Sequence, residues 1–262
     1  MDFWKLMIKK DNYICTFINL LIKGKDSLSF YKIQRIAESR KKYNFSNINR
    51  LFLVLNGPSI GKQDLSYLKE ETCMFVNRGF MHTLYAVIKP QFHVFVDRKM
   101  LTGEWPVSWL DDIVKINPKV IFIMPVSWSK KEIFQPYIQK GYNFYWIPFS
   151  TPASCLGVSG YCFNFAMEQN IKEVYFIGFD ATGLANEVLK TTSHFYGVNE
   201  ENNLKTTKNY IQDFYMFSRH LSDLHRVAHK AKKNGIQIYN ATLGGLLDMF
   251  PRVKFEDLFE KK

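Results

Sequence analysis

The 262-residue chain has little cysteine, and its four (Cys15, Cys73, Cys155 and Cys162) show no metal-ligand spacing. That argues against a disulfide-stapled miniprotein or a zinc knuckle and reads as ordinary buried thiols. The 14 glycines form neither a P-loop nor a Gly-x-Gly-x-x-Gly after the first apolar run, which argues against nucleoside-triphosphate hydrolysis and a dinucleotide-dependent dehydrogenase. An Asp-x-Asp pair is also missing. Asp111-Asp112 falls in a helix-like stretch and reads as a solvated face, so no metal site is expected.

Long hydrophobic runs are absent too. The longest near the start, Tyr13 to Ile22, is broken by Thr16 and Asn19 and is about half the roughly 20 residues that cross a bilayer. It is followed by Lys23, Gly24 and Lys25 rather than by small residues, so a cleaved signal peptide fits poorly. The expectation is a cytoplasmic protein.

Positive charge is plentiful but uneven. The chain carries +11, yet residues 1–50 hold eleven Lys/Arg against four Asp/Glu, leaving only +4 on the remaining 212. A nucleic-acid-binding domain spreads its cations over the folded body, so nucleic acid is not expected as a partner. An acidic surface met by the N-terminus is.

From Leu51 onward short apolar runs alternate with helix-like segments, the pattern of a parallel sheet with crossover helices. The expected strands are Leu51–Leu55, Cys73–Val76, Phe92–Val96, Val120–Met124, Phe144–Ile147, Glu173–Ile177 and Ile236–Tyr239. Tyr210, Ile211, Phe214, Phe217, Leu221, Leu224 and Ala228 recur at three- and four-residue steps, predicting a long amphipathic helix over Thr207–Lys233 that stops at Asn234-Gly235.

The fold class is therefore α/β: a Rossmann-like, mostly parallel sheet flanked by helices over residues 49–262, with a polar lid at 181–206. A basic helical extension occupies residues 1–48. Its helical candidates Phe3–Leu21 and Ser29–Lys42 either lie on a membrane or cap the body, since aromatic and Lys enrichment serves both.

In such a sheet ligands bind beyond the carboxyl ends of the strands. Those ends deliver Asn56-Gly57-Pro58-Ser59, Asn77-Arg78-Gly79, Asp97-Arg98 and Gly178-Phe179-Asp180 in turn. Any one of these reads equally as a polar turn; together they point to one edge. Gly157-Val158-Ser159-Gly160 opens a helix through Glu168, where free amides and a hydroxyl suit an anion or a nucleobase. The alternative role for those glycines is close helix packing.

Of six histidines, His220, His225 and His229 fall on the long helix and His82 and His93 flank strands, where packing or surface roles are ordinary. His194 lies in Ser193-His194-Phe195-Tyr196-Gly197, inside the lid. It is a candidate general base for a sugar hydroxyl, against the alternative of a loop anchor.

The order of Asn56-Gly57-Pro58-Ser59, Asn77, Ser159-Gly160, Ile171 through Asp180 and Ser193 through Gly197 resembles that of the bacterial sialyltransferases of glycosyltransferase family 42. The chain is also similar to proteins resembling archaeal hydroxymethylpterin pyrophosphokinase and to motility-associated flagellin glycosyltransferases. Ile238 to Gly245, followed by Phe250-Pro251-Arg252, reads like the closing segment of that wider group. The resemblance covers residues 51–252.

It implies an inverting, metal-independent transfer of an acidic sugar from CMP to a glycan or lipid-linked glycan in surface polysaccharide or lipooligosaccharide synthesis, without a cofactor. Catalysis would rest on His194 and Tyr196. The nucleotide would meet Asn56, Gly57, Pro58, Ser59, Asn77, Arg78, Ser159, Gly160, Gly178 and Asp180, and the substrate Asp97 and Tyr161. One departure stands out: the family's Asp-Phe-Tyr reads Asp180-Ala181-Thr182, so its phosphate-stabilising tyrosine must be replaced, with Tyr196, Tyr161 and Arg78 as candidates. Peripheral membrane contact through residues 1–45, at the inner face of the cytoplasmic membrane, and a homo-oligomer are compatible with this reading. The alternatives are an ATP- and metal-dependent diphosphokinase and a non-catalytic nucleotide- or sugar-binding scaffold.

Overall fold

The computed structural model describes residues 29–148, 157–197 and 207–260, together with Tyr13, Ile14, Phe17 and Leu21. Seven parallel strands form one sheet: β1 (Arg50–Val54), β2 (Cys73–Val76), β3 (Phe92–Val94), β4 (Ile121–Pro125), β5 (Phe144–Ile147), β6 (Glu173–Ile177) and β7 (Gln237–Asn240), in the order β5-β4-β3-β2-β1-β6-β7. All seven fall where the apolar runs predict them: β2, β5 and β6 have the expected bounds, and the other four have ends shifted by one or two residues. The chain lays down β1 to β5 in one direction, then returns to place β6 on the other side of β1. The topological switch is therefore between β1 and β6.

The unbroken Val/Ile/Phe strands are explained by two cores, one on each face. Leu51, Leu53, Met74, Val94, Ile123 and Phe176 share one face with Phe163 and Phe165 of helix Gly157–Glu168 and with Leu224 and Val227 of helix Thr207–Lys233. Phe52, Val54, Phe75, Phe95, Phe122 and Ile177 share the other with Ile60, Leu65, Tyr85 and Leu110. Alternate residues point to opposite faces, and both faces are covered, so both alternation phases are largely apolar away from the strand ends, with His93 in the middle of β3 the buried exception among the described residues. The thiols of Cys73 and Cys162 are free and buried; Cys15 and Cys155 lie outside the described residues.

The amphipathic stripe on the long helix is only half used. Leu224 is fully buried, whereas Ile211 and Phe214 are 68% and 54% exposed. A 27-residue helix is about 40 Å long, more than twice the length of a four- or five-residue strand at ~3.3 Å per residue. Its first half therefore overhangs the sheet at the strands' carboxyl ends, beside the lid.

Part of the basic N-terminal segment caps the body. Helix Phe30–Lys42 packs on β5, where the backbone N–H of Trp146 donates to the Ser39 hydroxyl, and Phe45 joins the core. The basic residues here are largely spoken for: Arg40 pairs with Glu168, Arg50 with Glu71 and Arg35 with Glu38. The expected helix Phe3–Leu21 lies outside the described residues apart from Tyr13, Ile14, Phe17 and Leu21, all exposed. Among the described residues no helix is long and apolar enough to cross a membrane.

Candidate functional site

The strand ends at the switch are joined by backbone hydrogen bonds. The N–H of Leu55 donates to the carbonyl of Ile177, and that of Gly57 to Gly178 (2.8 Å). This closeness explains the two glycines. Gly178 has φ +69, and a Cβ there would run into Ile60 and the Leu55 carbonyl. At Gly57 a Cβ would overlap the Asp180 carboxylate.

Asp180 sits behind this junction. Its carboxylate accepts from the Ser59 hydroxyl (2.9 Å). Burial raises its pKa, and the hydrogen bonds from Ser59 pull the other way. The closing segment holds it from below: the Leu246 N–H donates to the Asp180 carbonyl, and the Phe179 N–H to the Thr242 hydroxyl. Arg252 reaches back to donate to the carbonyls of Gly244 and Gly245.

Beyond these ends opens a cavity of about 350 Å³. Of the residues singled out in the sequence, Asn56, Gly57, Asn77, Asp97, Ser159, Gly178, Asp180, His194 and Tyr196 line it. Pro58, Ser59, Arg78, Gly160 and Tyr161 are not part of its wall. Pro58 and Ser59 begin a short 3-10 helix behind the turn. Gly160 and Tyr161 are buried in helix Gly157–Glu168, Tyr161 within the core, because their position in the helix turns them to the sheet. Arg78 lies behind the wall, its guanidinium over the rings of Tyr196 (5.4 Å), Trp105 and Trp109.

The cavity floor carries unmet hydrogen-bonding capacity. The side-chain amide of Asn56 donates to the Val76 carbonyl, yet its oxygen, the side-chain oxygen of Asn77 and the indole nitrogen of Trp105 are buried without a partner. Such groups are costly to bury alone.

Over this floor stands the lid. Its Phe195 N–H donates to the Asn56 carbonyl (3.1 Å), and His194 and Gly197 exchange backbone bonds in a tight turn. The His194 ring stacks on Tyr196 at 4.8 Å, and its Nδ1 lies 3.0 Å from the Ser193 hydroxyl. Residues 198–206 of the expected lid lie outside the described residues; within the rest, Gly183–Val188 is helical.

Ser193, quoted above only as the start of the lid motif, also lines the cavity, as do Lys99, Trp105 and His220, to which no site role was given. Lys99 and Trp105 follow the β3 end by a few residues, so widening the strand-end rule finds them. His220 comes from the overhanging half of the long helix, some 40 residues beyond β6, and nothing local marks it. Asp97 and Asp180 share the cavity, but among the described residues no three His, Cys, Asp or Glu side chains are grouped as metal ligands.

The chain matches no protein-family profile and no curated protein. Solved structures similar to it include the sialyltransferase CstII from Campylobacter jejuni in complex with a substrate analogue, cytidine-5'-monophosphate, at 14% identity and TM-score 0.47, covering 80% of this chain and 86% of that one. The sialyltransferase CST-II in complex with trisaccharide acceptor and CMP is similar at 15% identity and TM-score 0.43, covering 77% and 84%. Thiamine pyrophosphokinase from Bacillus subtilis is similar at 12% identity and TM-score 0.33, covering 73% of this chain, which spans only 59% of that one. Each is a likeness of fold.

Proposed function

We propose that the cavity binds a CMP-activated acidic sugar and that the chain is an inverting, metal-independent glycosyltransferase. The observation that carries this reading is a cavity at the β1/β6 switch lined by Asn56 and Asn77, whose side-chain oxygens are buried without a partner, and by His194 of the lid segment. Amide oxygens call for donors, which a nucleoside supplies as hydroxyl and amino groups. The choice of CMP rests on the motif order in the sequence.

In the proposed reaction His194 accepts the proton of an acceptor hydroxyl as its oxygen bonds to the anomeric carbon. The bond from that carbon to the phosphate oxygen breaks, and CMP leaves with the electron pair. This step calls for the tautomer in which Nδ1–H donates to the Ser193 hydroxyl, 3.0 Å away, leaving Nε2 as the accepting nitrogen. Charge on the departing phosphate needs fixed donors. Of Tyr196, Tyr161 and Arg78, Tyr196 lines the cavity and Tyr161 is buried in the core, which favours Tyr196 for that role, with Arg78 stacked behind it.

A thermal-shift panel of CMP, UDP, GDP and ATP tests the reading, because a ligand that binds only the native state raises the midpoint. A selective rise with CMP is expected. A rise with ATP that requires a divalent metal would replace it with the diphosphokinase reading, for which Asp97 and Asp180 both face the cavity. CMP binding without turnover on any donor would leave a scaffold.

A lipid-linked acceptor would bring the enzyme to the inner membrane face. Deleting residues 1–28, which spares the helix packed on β5, is then expected to lower binding to anionic liposomes while sparing turnover on a soluble acceptor. Unchanged liposome binding would overturn the membrane role of that segment.

A further inference from the structure

Asn77, at the carboxyl end of β2, is one of five non-glycine residues with positive φ among the described residues, at +49. Asn tolerates this left-handed region better than most residues but does not prefer it. The neighbouring strand supplies what holds it there. His93 is the middle residue of β3, and its Nε2 lies 2.9 Å from the Asn77 carbonyl oxygen.

A carbonyl can only accept, so Nε2 carries the hydrogen. Nδ1 is then the acceptor, and the Tyr85 hydroxyl donates to it at 2.9 Å. His93 and Tyr85 are 0% and 1% exposed, among the rings of Phe75, Phe80, Phe95 and Phe122. Burial also keeps the imidazole neutral, with its pKa pushed down to about 3, so this chain of bonds is of one fixed sense.

A neutral, water-excluded histidine whose two ring nitrogens are taken up by the buried Tyr85 hydroxyl and a backbone carbonyl serves no proton transfer. The carbonyl it holds belongs to the residue whose own side-chain oxygen is buried without a partner in the cavity wall. We propose that Tyr85 and His93 are positioning residues: they lock the Asn77 backbone in its left-handed conformation and so set the side-chain amide against the nucleoside. This deepens the CMP reading and rests on it.

The test is CMP titration by calorimetry, well below the melting midpoint, on wild type, Asn77→Ala, His93→Gln, His93→Leu and Tyr85→Phe. Gln places an amide N–H near the position of Nε2 and is expected to stay within about threefold of wild-type affinity, whereas Leu is expected to lose about tenfold or more. Combining His93→Leu with Asn77→Ala should weaken CMP no further than Asn77→Ala alone, the mark of residues acting as one unit. Wild-type affinity in His93→Leu, or additive losses, would overturn the proposal while leaving the CMP reading intact.

Carbon-13 shifts of Asn77 give a ligand-independent readout. They should stay left-handed in His93→Gln and move in His93→Leu; unmoved shifts overturn the proposal even if wild type binds no CMP, which would sink the CMP reading separately. If His93→Leu does not fold, Tyr85→Phe carries the same two readouts. It frees the imidazole to change tautomer, and unmoved Asn77 shifts together with unchanged CMP affinity count against the pair.

Discussion

The two walls of the cavity are built differently. The sheet wall, Asn56, Asn77, Gly178 and Asp180, sits on strand ends that are hydrogen-bonded to each other and buried over two hydrophobic cores. The lid wall, Ser193 to Gly197, meets the end of β1 through a backbone bond from Phe195 to Asn56 and packs on the segment after β2 through ring contacts such as Phe195 with His82 (5.4 Å). A wall made of sheet ends presents fixed groups, whereas in the proposed reaction the other wall carries the base. Changes in the first should cost folding and binding together, and changes in the second turnover alone.

The sharpest way to separate the walls is His194→Ala. Turnover is expected to fall by about two to four orders of magnitude, as for removal of a general base, with the melting midpoint and CMP affinity close to wild type. Full turnover in that variant would remove the catalytic role of the lid. Gly178→Ala probes the opposite wall. With φ +69 and a Cβ directed at Ile60 and the Leu55 carbonyl, it should lower unfolding free energy by about 2–4 kcal/mol, read by urea denaturation.

The third comparison uses pH. His93 is held neutral with a pKa of about 3 against the ordinary 6.5, so below pH 6.5 the unfolded chain takes up a proton that the native state refuses. Its contribution to stability is complete above about pH 6.5 and is lost as pH falls toward 3, at up to about 1.4 kcal/mol per pH unit. His93→Gln lacks this term. The gap between the two proteins in urea midpoints, measured at pH 7 and pH 5, should therefore change in the variant's favour at the lower pH; a pH-independent gap would refute the assignment.

The smallest expected effect is Ser59→Ala. It removes one hydrogen bond to the Asp180 carboxylate and should cost about 1–2 kcal/mol in stability, a bond to a charged or partly charged acceptor being somewhat stronger than a neutral one. A loss of turnover larger than the loss of stability would show that Asp180 does more in the reaction than brace the turn.

Much of the sheet was legible because its strands are fully covered. Leu51 to Leu55 and Glu173 to Ile177 can be little else than buried strands between polar turns, and Asn234-Gly235 ends the long helix as written, with Gly235 at φ +69. The polar strand ends were legible as a set, since a parallel order brings them to one edge. Residues of helix Gly157–Glu168 were harder to assign. Ser159 faces the cavity and Tyr161 the core, and a run of small and aromatic residues does not say which way the helix is turned. The basic N-terminal segment is legible only in part for a related reason: charge counted along the chain does not reveal that Arg40 and Arg50 meet Glu168 and Glu71.

By itself, then, the sequence determined the α/β class, the seven strands and the edge at which polar groups gather, because hydrophobic periodicity and turn chemistry act over a few residues at a time. Only the tertiary structure decided where the order of strands reverses, that His220 from the long helix joins the cavity, and that His93 spans two strands to hold Asn77. Those relations join residues far apart in the chain or on neighbouring strands, through contacts that exist only once the sheet is assembled.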